Sequence, residues 1–147
     1  MYKRILVATD GSKLSKMAVE HAINLADLTG AEVVALKVVP RYPQTYFEGG
    51  VALAAEEIAR VEKQWHDEAM TAVTAVKSAG QLLEVKVKPV TVKADLVAEA
   101  IIATAKRSKC DLIVMASHGR RGIKRLLLGS ETQQVLTHSH IPVLVLR

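Results

Sequence analysis

The sequence of 147 residues contains few aromatic side chains and a single cysteine. Aromatic residues make up 3% of the chain. Because single-stranded nucleic acids are bound largely by stacking on aromatic rings, we expect no nucleic-acid partner. The only cysteine, Cys110, excludes an internal disulfide bond and a metal site built from several cysteines. We interpret Cys110 as a packing residue beside a strand, with a reactive thiol as the alternative.

Long hydrophobic runs are missing as well. The longest apolar runs are shorter than the roughly 18–20 residues that cross a membrane. The first residues lead directly into a strand-like run at residues 5–9, not into a signal peptide. We therefore expect no membrane association and a cytoplasmic location. The net charge of +5 favours anionic ligands in general.

Half of the residues are hydrophobic, and nearly all of these are aliphatic. This composition is typical of parallel sheets that are covered by helices. A chain of this length forms about one domain, and no linker, repeat or low-complexity segment divides it. We therefore expect residues 1–147 to form a single α/β domain.

Strand-like and helix-like segments alternate along the sequence. The predicted strands are residues 3–9, 32–39, 84–92, 112–116 and 141–146. The first predicted helix ends near residue 28, and three others cover residues 52–78, 96–108 and 130–137. Residues 41–50 are predicted to form a loop. This order predicts a five-stranded parallel sheet with right-handed crossovers and helices on both faces. Pro89 has no N–H to donate, so its strand is expected at an edge of the sheet.

A glycine-rich basic segment follows the fourth predicted strand. Glycines stand at 119, 122 and 129 among four basic residues, and a predicted helix begins at Ser130. Glycine lets a backbone approach an anion closely, and the N-terminus of a helix presents free N–H groups with partial positive charge. The segment therefore predicts a phosphate-binding site.

Two residues near this site have alternative interpretations. Ser130 and Gln133 match a capping box, so Ser130 is predicted either to cap the helix alone or to cap it and also contact phosphate. Asp10 follows the first strand with Gly11 and Ser12. It is predicted either to form an Asx turn that caps the next helix, or to bind ribose hydroxyls or a phosphate-bridging Mg²⁺ ion.

Catalytic signals are weak. The sequence contains no P-loop motif, no dinucleotide-binding glycine fingerprint and no nucleophile elbow. His118 lies inside the glycine segment, and a structural role is favoured over phosphate contact or proton transfer. We therefore identify no catalytic residue, and the sequence gives little support to efficient catalysis.

Four segments resemble the universal stress proteins, and together they span nearly the whole chain. They are residues 5–12 (ILVATDGS), 111–119 (DLIVMASHG), 126–130 (LLLGS) and 141–145 (IPVLV). The resemblance implies the strand order 3-2-1-4-5, which makes the first and fourth strands neighbours. It also implies a homodimer formed by pairing of the last strands, at Val143–Leu146.

The nucleotide-binding branch of this family holds ATP with a Gly-x2-Gly-x9-Gly-Ser/Thr motif. The matching positions here are Ala116, Gly119, Gly129 and Ser130, so alanine replaces the first glycine. The resemblance implies that Ala8, Thr9 and Asp10 meet the nucleoside, Val38 meets the adenine, Met115 and Ala116 meet the ribose, and Gly119, Gly129, Ser130 and Glu131 surround the phosphates.

The leading hypothesis is a dimeric stress-response protein that binds ATP, or ADP or AMP, with Mg²⁺ at Asp10. Ala116 supports a second hypothesis, in which the protein belongs to the branch that binds no nucleotide and acts as a protein-interaction module. A third hypothesis is a nucleotidyl-transferring or adenylating enzyme, for which the sequence contains no motif.

Overall fold

The computed structural model describes residues 1–43, 55–119 and 128–147. Strands and helices alternate within these ranges. They are β1 (Arg4–Ala8), α1 (Lys13–Thr29), β2 (Glu32–Val39), α2 (Ala55–Gln81), β3 (Val87–Lys93), α3 (Val97–Arg107), β4 (Leu112–Ala116), α4 (Ser130–His138) and β5 (Val143–Leu146). The strands form one parallel sheet in the order β3-β2-β1-β4-β5. This confirms the predicted doubly wound α/β fold.

Aliphatic side chains on the two faces of the sheet form two core clusters. Successive residues of a strand point to opposite faces. Ile5 and Val7 of β1 therefore pack with residues of α1 and α2, whereas Leu6 packs with residues of α3 and α4. Each face of the sheet is thus covered by two helices, as predicted.

The ends of α1 are set by residues that suit the ends of helices. Ser12 is the N-cap and accepts a hydrogen bond from the Ser15 backbone N–H at 3.2 Å. Gly30 has φ of 70° and donates its N–H to the carbonyl of Ala26. α1 therefore begins at Lys13, three residues after Asp10, which keeps the connection from β1 short.

Three element boundaries differ from the sequence prediction by two residues or more. α2 continues to Gln81 instead of ending at residue 78, because Gly80 remains helical where β3 packs closely against it. β3 begins at Val87 instead of residue 84, because Glu84 has φ of 57°, which no strand residue adopts. β5 begins at Val143 instead of residue 141. The predicted start of α2 at residue 52 and most of the predicted 41–50 loop lie outside the described residues.

β3 is one edge of the sheet, and the N–H and C=O groups of its successive residues point alternately toward β2 and away from it. Val33 donates to the Lys86 carbonyl at 2.9 Å, and Ala94 donates to the Val39 carbonyl at 3.0 Å. The backbone groups of the even-numbered residues of β3 therefore point toward β2. Pro89 is odd-numbered and lies on the outward side. Its missing N–H therefore removes no hydrogen bond of the sheet, which confirms the predicted edge position.

β5 is the opposite edge. Ile113 donates to the Pro142 carbonyl at 2.9 Å, and Ser117 donates to the Leu146 carbonyl at 2.7 Å. The backbone N–H and C=O groups of Val143 and Val145 therefore point away from β4. Because β5 carries neither lysine nor proline within its bounds, this edge is free to pair with another strand.

Ion pairs join the N-terminal ends of the strands. Glu32 contacts Lys86 at 2.9 Å and Arg4 at 3.1 Å. Hydrogen bonds from Lys86 and then Arg4 lower the pKa of Glu32 below its ordinary value. The carboxylate therefore connects β1, β2 and the residue that precedes β3.

Cys110 is a core residue of the face covered by α3 and α4, with 7% of its surface exposed. Burial raises the pKa of its thiol to about 11, and the Asp111 charge also raises it, while Arg4 acts in the opposite direction. The thiol is therefore protonated at neutral pH, which confirms the interpretation of Cys110 as a packing residue.

Candidate functional site

The end of β1 turns sharply into α1 through side-chain hydrogen bonds. Asp10 Oδ1 accepts from the Ser12 backbone N–H at 2.9 Å, which forms the predicted Asx turn. The cap of α1 is Ser12, however, and not Asp10. Thr9 is 8% exposed, and its hydroxyl lies 3.2 Å from both the Gly11 N–H and the Ser15 hydroxyl. Thr9 therefore stabilises the turn that presents Asp10.

The end of β4 lies directly beside the end of β1. The two strands are paired, with Val7 opposite Val114. A Cβ atom built on Gly119 would lie 2.6 Å from Asp10 Oδ2, so only a residue without a side chain fits there as Asp10 now stands. The backbone at Gly119 and the Asp10 carboxylate therefore lie against each other at the C-terminal ends of β1 and β4. Ligands of open α/β sheets bind at this kind of position, where the strand order reverses.

The beginning of α4 is attached to the end of β4. The Gly129 N–H donates to the Ser117 carbonyl at 2.7 Å. A Cβ on Gly129 would lie 3.2 Å from that carbonyl oxygen and 3.3 Å from His118 Cα, so the two backbones are in close contact. The Thr132 hydroxyl, which is 2% exposed, donates to the Ala116 carbonyl at 3.0 Å. These contacts place the N-terminus of α4 next to the end of β4.

The predicted capping box at Ser130 is wrong. Gly129 is the N-cap residue and Ser130 is the first residue of the helix. The Ser130 hydroxyl donates to the Glu131 carboxylate at 2.9 Å, and the Gln133 side chain donates to the Leu128 carbonyl at 3.2 Å. Because Ser130 and Glu131 are both exposed, the first turn of α4 presents its hydroxyl and its backbone N–H groups at the surface.

The other residues assigned by sequence lie along the same strand ends. Ala8 and Val38 are half-buried and pack against the core on the α3 and α4 side. Met115 is 6% exposed and Ala116 is 8% exposed. Met115 is therefore mainly a core residue, and Ala116 offers a ligand little more than its backbone.

Metal binding near the ends of β1 and β4 would depend on Asp10. Among the described residues, no three His, Cys, Asp or Glu side chains lie close enough to hold a metal ion together. A cation at Asp10 would take one carboxylate from the protein, which suits Mg²⁺ because this ion usually keeps waters and phosphate oxygens as its other ligands. His118 Nδ1 lies 3.2 Å from the Ser117 hydroxyl and is half-buried at the start of the glycine segment.

The position of Thr132 at the start of α4 was not predicted from the sequence. The residue lies inside the Ser-Glu-Thr-Gln stretch that suggested a capping box, and no feature of the sequence distinguishes it there. The structure shows that it is the residue of the first turn whose side chain points inward. The predicted residues 120–127 of the glycine segment, including Gly122, lie outside the described residues.

Two shallow cavities elsewhere in the described residues lie along α2. One has a volume of about 390 Å³ and is formed by α2 alone; the other, of about 250 Å³, lies between α2 and the ends of β2 and β3. Neither contains a residue that the sequence assigned to the site. None of the helices in the described residues is long and apolar enough to cross a membrane.

Comparison with known proteins identifies relatives of the whole chain. Universal stress protein MJ0531 of Methanocaldococcus jannaschii is 36% identical over 147 residues, which cover 100% of this chain and 83% of the relative. The solved structure of protein MJ0577 from the same organism has a TM-score of 0.76 and 31% identity, and covers 99% of this chain and 96% of its own.

A more distant solved structure contains a nucleotide. The universal stress protein of Archaeoglobus fulgidus in complex with dAMP has a TM-score of 0.67 and 18% identity, and covers 99% of this chain and 98% of its own. At that identity the likeness concerns the fold alone. The sequence profile described as "Universal stress protein family" matches residues 1–147. With a full-length profile match and relatives above 30% identity, the chain belongs to the universal stress protein family.

Proposed function

We propose that this universal stress protein is a nucleotide-dependent regulator of the stress response that binds ATP, or ADP or AMP, in the crevice at the ends of β1 and β4. Residues 1–147 act as one nucleotide-binding domain in the cytoplasm, as a homodimer. Nucleic acid and membranes are not partners. The nucleotide, not a reaction product, is the signal, so any ATP hydrolysis is slow.

One observation carries this proposal: β1 and β4 are neighbours, and at their C-terminal ends the Asp10 carboxylate lies against the backbone of Gly119. The first strand end supplies Ala8, Thr9 and Asp10 for the nucleoside. The fourth strand end and the start of α4 supply backbone N–H groups for the phosphates. In the proposed site, Val38 borders the adenine, and Met115 and Ala116 border the ribose.

The proposed phosphate site consists of backbone N–H groups. The N–H groups of Ser130 and Glu131 lie in the first turn of α4, where the partial charge of the helix favours an anion. The Gly129 N–H is bonded to the Ser117 carbonyl, so Gly129 and Gly119 would serve the phosphates by the close approach that a residue without a side chain allows. Asp10 would hold Mg²⁺ through one carboxylate, and the ion would neutralise part of the phosphate charge. The dAMP complex of the Archaeoglobus fulgidus protein shows that the fold it shares with this chain can accept an adenine nucleotide.

The proposed homodimer forms at β5. Val143 and Val145 direct their backbone groups outward, and Leu144 of the same strand exposes 39% of its surface. An exposed apolar edge strand is a surface on which a second strand adds readily. Two copies related by a twofold axis would pair β5 with β5 in antiparallel orientation.

Isothermal titration calorimetry of the purified protein with ATP, ADP and AMP tests the ligand. We expect saturable binding that is strengthened by Mg²⁺, and Asp10→Asn removes the Mg²⁺ dependence while leaving the fold intact. No binding of any of the three nucleotides at millimolar concentration would contradict the proposal.

Gly119→Val tests the location. The valine side chain would overlap the Asp10 carboxylate and fill the space between the strand ends, so we expect nucleotide binding to be lost. Circular dichroism and the thermal midpoint serve as controls for folding. Unchanged affinity in a folded Gly119→Val protein would place the nucleotide elsewhere.

Ala116 favours a second candidate function, a dimeric protein-interaction module without a nucleotide. It occupies the position of the first glycine of the family motif. Ala116→Gly distinguishes the two functions: we expect it to strengthen nucleotide binding if the site is used. A protein that binds nucleotide neither as wild type nor as Ala116→Gly would support the interaction module.

A further inference from the structure

Thr132 differs from three other helical threonines in the partner of its hydroxyl. Thr29, Thr71 and Thr137 each donate to the backbone carbonyl four residues earlier in their own helix, at 2.7–3.0 Å. This local hydrogen bond is the usual one for threonine in a helix. Thr132 instead donates to the carbonyl of Ala116, sixteen residues earlier and in another element.

This hydrogen bond is buried. Thr132 is 2% exposed, whereas Ser130, Glu131 and Gln133 on either side of it are exposed. A buried hydroxyl and a buried carbonyl each need a partner, since an unpaired buried polar group costs free energy. The pairing therefore fixes the first turn of α4 to the last residue of β4.

A second hydrogen bond acts at the same place, from the Gly129 N–H to the Ser117 carbonyl. The two bonds attach residues 129 and 132 of α4 to two consecutive carbonyls at the end of β4. Between them lie Ser130 and Glu131, whose backbone N–H groups have no acceptor within the helix. The direction of these N–H groups relative to Asp10 and Gly119 is therefore set by the two attachments.

We propose that Thr132 is a positioning residue for the phosphate groups of the bound nucleotide. Its hydrogen bond to Ala116 holds the N-terminus of α4 so that the N–H groups of Ser130 and Glu131 face the phosphates. This inference rests on the proposed function, because it assigns a role to a residue that does not touch the nucleotide itself. It also explains why the phosphate-binding turn carries a threonine at its one inward position.

The test is Thr132→Val, which keeps the shape of the side chain and removes the hydroxyl. Affinity for ATP and for adenosine is measured by titration calorimetry for each protein. We expect ATP affinity to fall by roughly tenfold, the size of a helix N-terminus interaction with an anion. Adenosine affinity stays the same within about twofold, because adenosine has no phosphate. Thr132→Ser keeps the hydroxyl and restores the wild-type ratio of the two affinities.

Thr104→Val is the matched control. Thr104 is 1% exposed on α3, and its hydroxyl accepts from Arg107 of the same helix at 3.5 Å, so the substitution removes a hydroxyl of similar burial that does not bond to the end of β4. We expect a lower thermal midpoint and an unchanged ratio of ATP to adenosine affinity. Thr132→Ala provides a second variant without the hydroxyl and is expected to show the same lowered ratio as Thr132→Val.

The results separate the two proposals. If the wild-type protein binds ATP more tightly than adenosine but both hydroxyl-free variants keep that ratio, the role of Thr132 is refuted and the proposed function stands. Equal weakening of both ligands also refutes it, since that result indicates a general loss of structure. If the wild-type protein binds neither ligand, the proposed function fails and the role of Thr132 fails with it.

Discussion

The two edge strands, β3 and β5, differ in how well their outward backbone groups are protected from pairing with another strand. β3 places Pro89 on its outward side and carries exposed lysines at 88 and 93, and α2 packs closely on one of its faces. β5 presents the outward backbone groups of Val143 and Val145 without proline or lysine. Protection at one edge and not at the other agrees with the proposed dimer, in which association uses β5 alone and does not extend the sheet at both edges.

The largest effect is expected from transferring the protection of β3 to β5. Val145→Pro removes an outward N–H that would bind the second copy, and the twofold symmetry doubles the loss. We expect the dissociation constant of the dimer to rise by about 100-fold. Sedimentation velocity over a concentration series measures it.

Thr91→Pro is the matched control on the other edge. Thr91 is also odd-numbered on β3, so its N–H points outward and belongs to no hydrogen bond of the sheet. The dimer is expected to remain unchanged. A dimer that survives Val145→Pro and dissociates in Thr91→Pro would assign the interface to β3.

The close packing of α2 on β3 is tested by Gly80→Ala. The new methyl group would overlap Val87 Cγ2 and lie 3.1 Å from the Val85 carbonyl oxygen. Overpacking exceeds the gain in helix propensity, so we expect the free energy of unfolding to fall by about 1–2 kcal/mol. Urea denaturation measures this change. In a Val87→Ala background the overlap with Cγ2 is gone and only the contact with the Val85 carbonyl oxygen remains, so the same substitution should cost less.

Acid weakens the ion pairs that connect β3 to the inner strands. The pKa of Glu32 is lowered in the folded protein by Lys86 and Arg4, so its contribution to stability is present above the unfolded value near 4.5. It is lost as the pH falls below that value and through the folded pKa. We expect Glu32→Gln to reduce stability at pH 7 and to flatten the loss of stability between pH 5 and pH 3. Urea midpoints across this range measure it, and parallel curves for the two proteins would contradict the assignment.

The smallest effect is expected in the turns that lead into an edge strand and a central strand. Glu84 before β3 and Lys109 before β4 have φ of 57° and 55°. Glycine relieves this left-handed strain, and the relief exceeds the cost of its greater flexibility in the unfolded chain. Each substitution to glycine should therefore stabilise by about 0.5–1 kcal/mol. Thermal denaturation measures both. A loss of stability at either site would show that the side chain contributes more than its backbone strain costs.

The sequence predicted the inner strands better than the outer ones. β2 and β4 have the predicted bounds because they are continuous apolar runs that end at a proline or at small polar residues. β3 and β5 are shorter than predicted. Their first residues are apolar or alternating in sequence but are held in turns, by the φ of Glu84 and by the Ser139 hydroxyl bonded to the Ile141 N–H. Such local conformations leave little trace in hydrophobic periodicity.

The candidate site was predicted as a set of strand ends, and the structure brings Asp10 and Gly119 together as expected. The details at α4 were not predictable. A capping box and a helix that starts one residue earlier share the same sequence pattern, so Ser130 was assigned to the cap that Gly129 occupies. The role of Thr132 depends on contact with Ala116, which only the tertiary structure defines.

The burial of Cys110 has a practical consequence. Its thiol has a pKa of about 11 and 7% exposure, so maleimide reagents at pH 7 should leave it unmodified in the folded protein. A cysteine introduced at an exposed position would then carry the only fluorescent or spin label, without prior replacement of the native residue. Distances between such labels in two copies of the chain can be measured directly. Unfolding can be followed by the attachment of a second label, at Cys110.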